Sequence, residues 1–215
     1  LCALTVSSKA TASPIGVLQQ LFPVAKTYLL GDGLDFLPFA NSDLGDVTAA
    51  IFGVDITIPP NSAPSSTSGC EASDFTSFPV GRIALIQRGT CAFVVKIGNA
   101  FLAGASAVII FNEGQPGRTE PFEVLLDELQ PLPAVFTSFA VGEELYNAWR
   151  TLGAIVHLQV TDNTPTIPEP ATLTLLGLGL LGAGTRRRSR YSARRLASIR
   201  PSCARGSPNT LIPGD

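Results

Sequence analysis

Chemistry in this chain would have to come from very few side chains. There are four cysteines, Cys2, Cys70, Cys91 and Cys203, and one histidine, His157. A catalytic thiol needs a base within reach, and His157 is the sole imidazole. It sits in AIVHLQV, alternating with apolar neighbours, which reads as a strand histidine facing solvent or bonded to a loop. No G-x-S-x-G elbow and no H-E-x-x-H pair accompanies it. Two cysteines and one histidine, without a C-x-x-C pair or a nearby carboxylate cluster, make a poor zinc site. A disulfide between Cys70 and Cys91 is the reading that an oxidising compartment favours over a catalytic thiol or a metal site. Closing the loop between them would stabilise the chain by about 3 kcal/mol in the chain-entropy description.

The other candidates are charged. Glu143 and Glu144 fall in the first turn of an expected helix, where the macrodipole favours them without any catalytic role. Asp74 follows Cys70 closely and suits a turn cap. Arg88 stands between an expected strand and an expected helix, placed to pair with a carboxylate or to meet an acidic group on a partner. Asn112 and Glu113 open the polar stretch NEGQPGRTE and join Arg88 as candidate partner-binding residues. Gly31-x-Gly33 lacks the following strand and spacing of a dinucleotide site and reads as a turn. No cofactor and no metal is expected.

These side chains need elements to hold them. Ile83 to Gln87 is a short, branched apolar run, hence a buried strand. Thr90 is placed to cap a helix on which Phe93, Ile97, Ala100, Phe101 and Gly104 share a face. Gly104 suits its left-handed end, and Ala107 to Phe111 is a second apolar strand. The whole has the size of a βαβ unit. Val47 to Ile58 reads as two strands hinged near Gly53, and 59–69 as a loop. Asn112 to Glu120 reads as a surface loop, Glu123 to Gln130 as one helical turn, and Pro133 to Ser138 as a strand. Ser138 caps a helix over Ala140 to Leu152, with Val141, Leu145, Ala148, Trp149 and Leu152 on one face and Gly153 at its end. Ala154 to Thr161 alternates, as a half-exposed strand does.

Charge is divided sharply along the chain. Residues 1–185 hold seven bases and sixteen acids, a net −9, whereas eight arginines lie between Arg186 and Arg205. An acidic body with a basic tail points to a membrane or topology role for the tail. Nucleic acid is not an expected partner, because no bases interleave with aromatics in the body. The sequence contains no methionine and opens on LCALTV, followed by Ala10-Thr11-Ala12, an A-x-A cleavage pattern. Residues 1–12 therefore read as a signal-peptide remnant, with cleavage before Ser13.

Near the other end, Pro168-Glu169-Pro170 precedes ATLTLLGLGLLGAGT, an uncharged run over 171–185, and then Arg186-Arg187-Arg188. A helix of that length spans about 22 Å at 1.5 Å per residue, short of a hydrocarbon core near 30 Å, so flanking residues must cover the difference. The arginines should stay on the cytoplasmic side, which leaves the body outside. This three-part pattern resembles the PEP-CTERM sorting signal of Gram-negative bacteria. The resemblance implies recognition and cleavage by an exosortase-type enzyme, transient anchoring in the inner membrane through 171–185, and then display at the cell surface or release. Such signals usually stop soon after the arginines, yet 27 residues follow Arg188. They show no helical or strand periodicity and read either as a disordered basic extension or as a frame error.

The body resembles the protease-associated (PA) domain. The matching features are Gly69-Cys70, Asp74-Phe75, the run IALIQRGTCAFVVKIGNAFLAGASAVIIFN, then Pro133 to Ser138 and the helix containing Gly142. The resemblance covers Val47 to Val160. It implies an α+β fold, an open β-barrel or sandwich flanked by helices, and a Cys70–Cys91 bridge. It also implies binding of peptides or control of access to a peptidase, without catalysis. GCEASDF and FNEGQPGR look most like PA domains attached to zinc aminopeptidases. A two-zinc peptidase needs several His and carboxylate ligands, which one histidine cannot supply.

The expected organisation is a signal remnant (1–12), a PA-like domain (13–162, core 47–160), a sorting and anchor segment (163–188) ending in a hydrophobic helix, and a basic tail (189–215). The expected role is that of an exported, non-enzymatic peptide- or protein-interaction module. Alternatives are a fragment or accessory subunit of a secreted zinc aminopeptidase, and a structural component of matrix or biofilm.

Overall fold

The computed structural model describes residues 14–58 and 66–162. The expected signal remnant (1–12), the 163–188 segment with the hydrophobic helix expected there, and the 189–215 tail all lie outside the described residues. So does most of the 59–69 loop. Eight strands and two helices follow in chain order: β1 (Ile15–Phe22), β2 (Lys26–Thr27), β3 (Phe36–Pro38), β4 (Gly45–Val54), β5 (Ile83–Gln87), α1 (Phe93–Leu102), β6 (Ala107–Phe111), β7 (Ala134–Thr137), α2 (Phe139–Leu152) and β8 (Ile155–Thr161). They form one sheet in the order β2-β1-β8-β4-β5-β6-β7-β3. The four central strands β4 to β7 run parallel, and the outer pairings are antiparallel. The sheet curls until β1 meets β3. A Cβ on Gly16 would lie 3.0 Å from Pro38 Cγ and 2.8 Å from the Gln159 carbonyl, so only glycine admits this approach. The result is the expected α+β half-barrel with helices on its faces.

The period of two decides which side chain goes where. Every residue of β5 and β6 is buried. Ile83, Leu85 and Ile109 face α2, where they join Val141 and Leu145. Ala84, Ile86 and Ile110 face α1, where they join Ile97 and Ala100. Strands buried on both faces read as unbroken apolar runs, which is why their limits match the sequence reading residue for residue. α2 sits so close to β6 that a Cβ on Gly142 would fall 2.0 Å from Phe111 Cγ. Ser138 caps α2 as expected, its Oγ accepting from the Val141 N–H at 3.3 Å. Ser138→Ala should cost about 1 kcal/mol of unfolding free energy, read from urea denaturation, because that buried amide would lose its capping acceptor.

Several local expectations need correction. Val47 to Ile58 is not two strands hinged at Gly53. β4 is continuous through Gly53, which lacks a Cβ because Trp149 packs there, its Cζ3 2.6 Å from where that Cβ would be. The chain turns instead at Asp55, whose φ is 42°. Thr90 does not cap α1. The helix begins three residues later with Ala92 as its uncapped start, and Thr90 Oγ1 donates to the Ser66 carbonyl at 3.3 Å. Glu143 and Glu144 lie beyond the first turn of α2, and Glu144 pairs with Lys26 at 2.5 Å. Phe101 and Leu152, assigned to buried faces by spacing, are exposed in the last turn of each helix, where the apolar stripe outlasts the contact with the sheet. Glu123 to Gln130 forms no helical turn. It is an extended strap, with Leu125 bridged to Ala40 and the Leu126 N–H bonded to the Ala40 carbonyl. Ile15 to Phe22, where the sequence reading places no element, is β1.

Candidate functional site

Because β4 to β7 run parallel, their C-terminal ends share one end of the sheet, where the chain reverses and ligands generally meet sheets of this kind. Arg88 and Asn112 are the first residues past β5 and β6. The Arg88 N–H donates to the Phe111 carbonyl at 2.7 Å, and the Asn112 N–H to the Thr137 carbonyl at 3.1 Å. The ladder thus runs one residue beyond each strand and sets the two side chains next to each other.

The Arg88 guanidinium rests against three phenylalanines. Its carbon lies 5.0 Å from the Phe122 ring centroid, 5.9 Å from Phe93 and 6.0 Å from Phe136. Nη1 donates to Asn112 Oδ1 at 3.2 Å, its one hydrogen bond among the described residues. A guanidinium carries five N–H groups, so most of its fork is uncommitted. Burial pushes the Arg88 pKa down, Arg118 pushes the same way, and Glu113 opposes both. An arginine nonetheless keeps its charge. Half-buried Arg88 is therefore a cation held over aromatic rings, with donors to spare.

Asn112 and Glu113 are fully buried. Asn112 Oδ1 accepts from Arg88 and from the Glu113 N–H at 3.1 Å, while Nδ2 donates to the Glu120 carbonyl at 2.7 Å. Glu113 Oε1 accepts from the Ser66 N–H at 3.2 Å, and Oε2 pairs with Arg118 Nη1 at 2.6 Å. The polar stretch expected on the surface thus turns inward at its start. Arg88 is presented at the face, and Asn112 and Glu113 fix the loop that frames it.

In the segments flanking β5, Cys70 and Cys91 form the expected disulfide, with Cα atoms 5.8 Å apart. Lys96, fully buried on α1, donates to the Ser68 carbonyl and lies 3.6 Å from Cys70 Sγ. Burial pushes its pKa down from 10.5 to about 8, against the pull of Glu113, Asp74 and Asp55. Sequence reasoning passed over Lys96. The available signal was its position between Phe93 and Ala100 on the apolar stripe of α1, where a lysine enters only with a partner. Gly89 closes the arrangement: a Cβ there would overlap the Ser66 carbonyl at 1.8 Å.

The remaining candidates make contacts within the fold. His157 Nε2 lies 2.9 Å from Asp46 Oδ1 on the neighbouring strand, and Gln159 Nε2 donates to Asp46 Oδ2 at 2.9 Å. Asp74 accepts from the Glu71 N–H at 3.1 Å and caps the 3-10 turn Ala72–Phe75. Among the described residues no three His, Cys, Asp or Glu side chains could share a metal ion. No helix among them is long and apolar enough to cross a membrane. Pro168, Glu169, Pro170 and Arg186 to Arg188 lie outside the described residues.

Comparison with known proteins agrees with this architecture. Residues 55–145 match the PA domain and residues 166–188 match the PEP-CTERM protein-sorting motif, so the chain carries both. Two curated aminopeptidases from Pseudomonas aeruginosa strains, UCBPP-PA14 and PAO1, are each 44% identical over 111 residues, covering 50% of this chain. The chain spans only 20% of either. A zinc aminopeptidase from Bacillus subtilis shares the fold at a TM-score of 0.52 and 23% identity, over 71% of this chain and 31% of that one. An aminopeptidase from Aneurinibacillus sp. strain AM-1 does so at 0.51 and 22%, over 70% and 34%.

Proposed function

We propose that this chain is an exported interaction module, in which the PA domain holds a peptide or protein partner at the strand-end face centred on Arg88. The sorting motif marks the chain for export and for exosortase-type processing. In this reading the protein passes through the inner membrane and reaches the cell surface or the medium. Arg88 is the contact residue, and Asn112 and Glu113 are positioning residues behind it. The observation that carries the reading is the Arg88 guanidinium, half-buried on three rings and using one of its five N–H groups. Such a fork suits a carboxylate, either an acidic side chain or a peptide C-terminus, and arginines so placed tend to dominate interface energetics.

The test is capture from native envelope by the full chain and by Arg88→Gln and Arg88→Lys. Gln should lose at least about tenfold in partner yield with the unfolding midpoint kept, and Lys should lose most of it too, since a point charge cannot replace a fork. Unchanged partners would remove this face from consideration. Chelator-sensitive hydrolysis of aminoacyl substrates by the purified chain would overturn the non-enzymatic reading.

The identity to aminopeptidases supports a second reading, in which the partner is a separately encoded peptidase. It predicts that adding the chain changes the peptidase's kcat/KM for long substrates more than for short ones.

A further inference from the structure

A cavity lies away from Arg88, where the start of β1 and the end of β8 meet the strap of residues 123–130. It encloses about 620 Å³, within the range of about 300–1,000 Å³ typical of ligand sites. Its charged lining is of one sign: Asp43, Glu123 and Asp162, with no lysine or arginine. The same lining holds Leu125 and Leu129, which are 72% and 75% exposed. Large aliphatic side chains displayed so openly beside a cleft are surface waiting to be covered. Ser42, also in the lining, is 93% buried by its 7% exposure, and its Oγ makes no hydrogen bond among the described residues. A buried hydroxyl without a partner costs free energy unless something fills that role.

The walls are built in advance. The Ala40 N–H donates to the Val124 carbonyl at 3.0 Å, the Gln130 N–H to the Asn41 carbonyl at 2.8 Å, and Asn41 Nδ2 to the Leu126 carbonyl at 2.8 Å. The three carboxylates do not converge. No set of three acidic, histidine or cysteine side chains among the described residues could share one ion, so a single metal ion does not explain them. Charges spread along an apolar cleft match an extended ligand with several positive charges.

We infer that this cleft binds an extended peptide segment that alternates lysine or arginine with aliphatic residues. The ammonium or guanidinium groups meet Asp43, Glu123 and Asp162. The aliphatic side chains cover Leu125 and Leu129. The site is independent of Arg88, which suits the opposite charge.

The probe is a fluorescent six-residue peptide alternating leucine and lysine, titrated into the full chain and read by anisotropy. Controls are the leucine–glutamate and serine–lysine peptides. Binding should be saturable, should weaken with salt, and should be at least about tenfold weaker for both controls. The triple variant Asp43→Asn, Glu123→Gln, Asp162→Asn should lose about tenfold or more, and Leu125→Ser with Leu129→Ser a comparable amount. All five positions lie in the cleft lining, and circular dichroism confirms that each variant folds. Arg88→Gln should bind as the parent does. Neutralising Asp32, Glu71 and Glu143 instead serves as a control for the general acidity of the body. An equal loss there would overturn the proposal, as would equal binding of the leucine–glutamate peptide or no saturable binding at all. Calcium alone, if it bound with a triple-variant-sensitive heat and displaced the peptide, would replace the peptide site with a metal site.

Discussion

Replacing Cys70 and Cys91 together by alanine is expected to lower the unfolding free energy by about 3 kcal/mol while leaving the strand-end face in place. The two cysteines are 21 positions apart, and a cross-link of that span removes loop-closure entropy of this size from the unfolded chain. The folded side should change little, because the same segment is held by other bonds. The Thr90 N–H donates to the Ser66 carbonyl at 3.0 Å, the Gln87 N–H to Ser68 Oγ at 2.9 Å, and Asn99 Nδ2 to the Gly69 carbonyl at 3.1 Å. Urea denaturation should therefore show a lower midpoint and a modestly larger slope, since the uncrossed unfolded chain exposes more surface. Amide exchange at Thr90 and Gln87 should stay slow up to the new, lower global limit. A loss below about 1 kcal/mol would mean that this loop is already ordered in the unfolded chain. Selective fast exchange at Thr90 would mean that the bond holds the face locally. Either outcome contradicts the present account.

The same region shows what a sequence can and cannot disclose. β5, α1 and β6 were legible because each follows one rule: five buried residues in a mostly apolar run, a period near four, five more buried residues. Ser138 and Gly153 were legible because a cap and a left-handed terminus demand those residue types. β1 was not legible, since Gln19 and Gln20 interrupt its apolar pattern. Gln20 is nonetheless 3% exposed, with Nε2 bonded to the Val24 carbonyl at 2.9 Å. Gly53 looked like a hinge because the residue that needs its missing Cβ, Trp149, is nearly a hundred positions away. Arg88, Asn112 and Glu113 were picked out by type and by position after strands. Their unequal roles depend on burial, which no local pattern reports. The acidic cleft joins Ser42, Asp43, Glu123 and Asp162 from three distant segments, so it exists only once the sheet has curled.

Lys96 carries the other large expected effect, and it concerns pH. Its folded pKa, about 8, is below the unfolded value of 10.5. Below pH 8 the lysine is protonated in both states, and the folded state bears the full cost of burying the charge. Between pH 8 and 10.5 the folded chain has lost the proton and the unfolded chain still holds it. The unfolded state then binds more protons, so stability rises with pH through this window. At about 1.4 kcal/mol per pKa unit the full rise is on the order of 3 kcal/mol, which is large against ordinary surface titrations. Lys96→Met keeps an unbranched side chain one atom shorter and removes the titration, so its stability should be flat where the parent's climbs. Tyr28 acts in the opposite sense, because burial raises its pKa and its fold is favoured less as pH passes 10. It is present in both proteins and cancels in their difference. Urea denaturation from pH 7.5 to 10 measures that difference, with Cys2 and Cys203 replaced by serine so that no free thiolate attacks the disulfide. A difference that does not change with pH would show that the buried ammonium is fully compensated by Glu113, Asp74 and Asp55. Lys96 would then be a fixed cation tying α1 to the 66–70 segment. A rise of the expected size would make it a buried base whose charge is carried at a cost, held beside the disulfide by the Ser68 carbonyl and Cys70 Sγ.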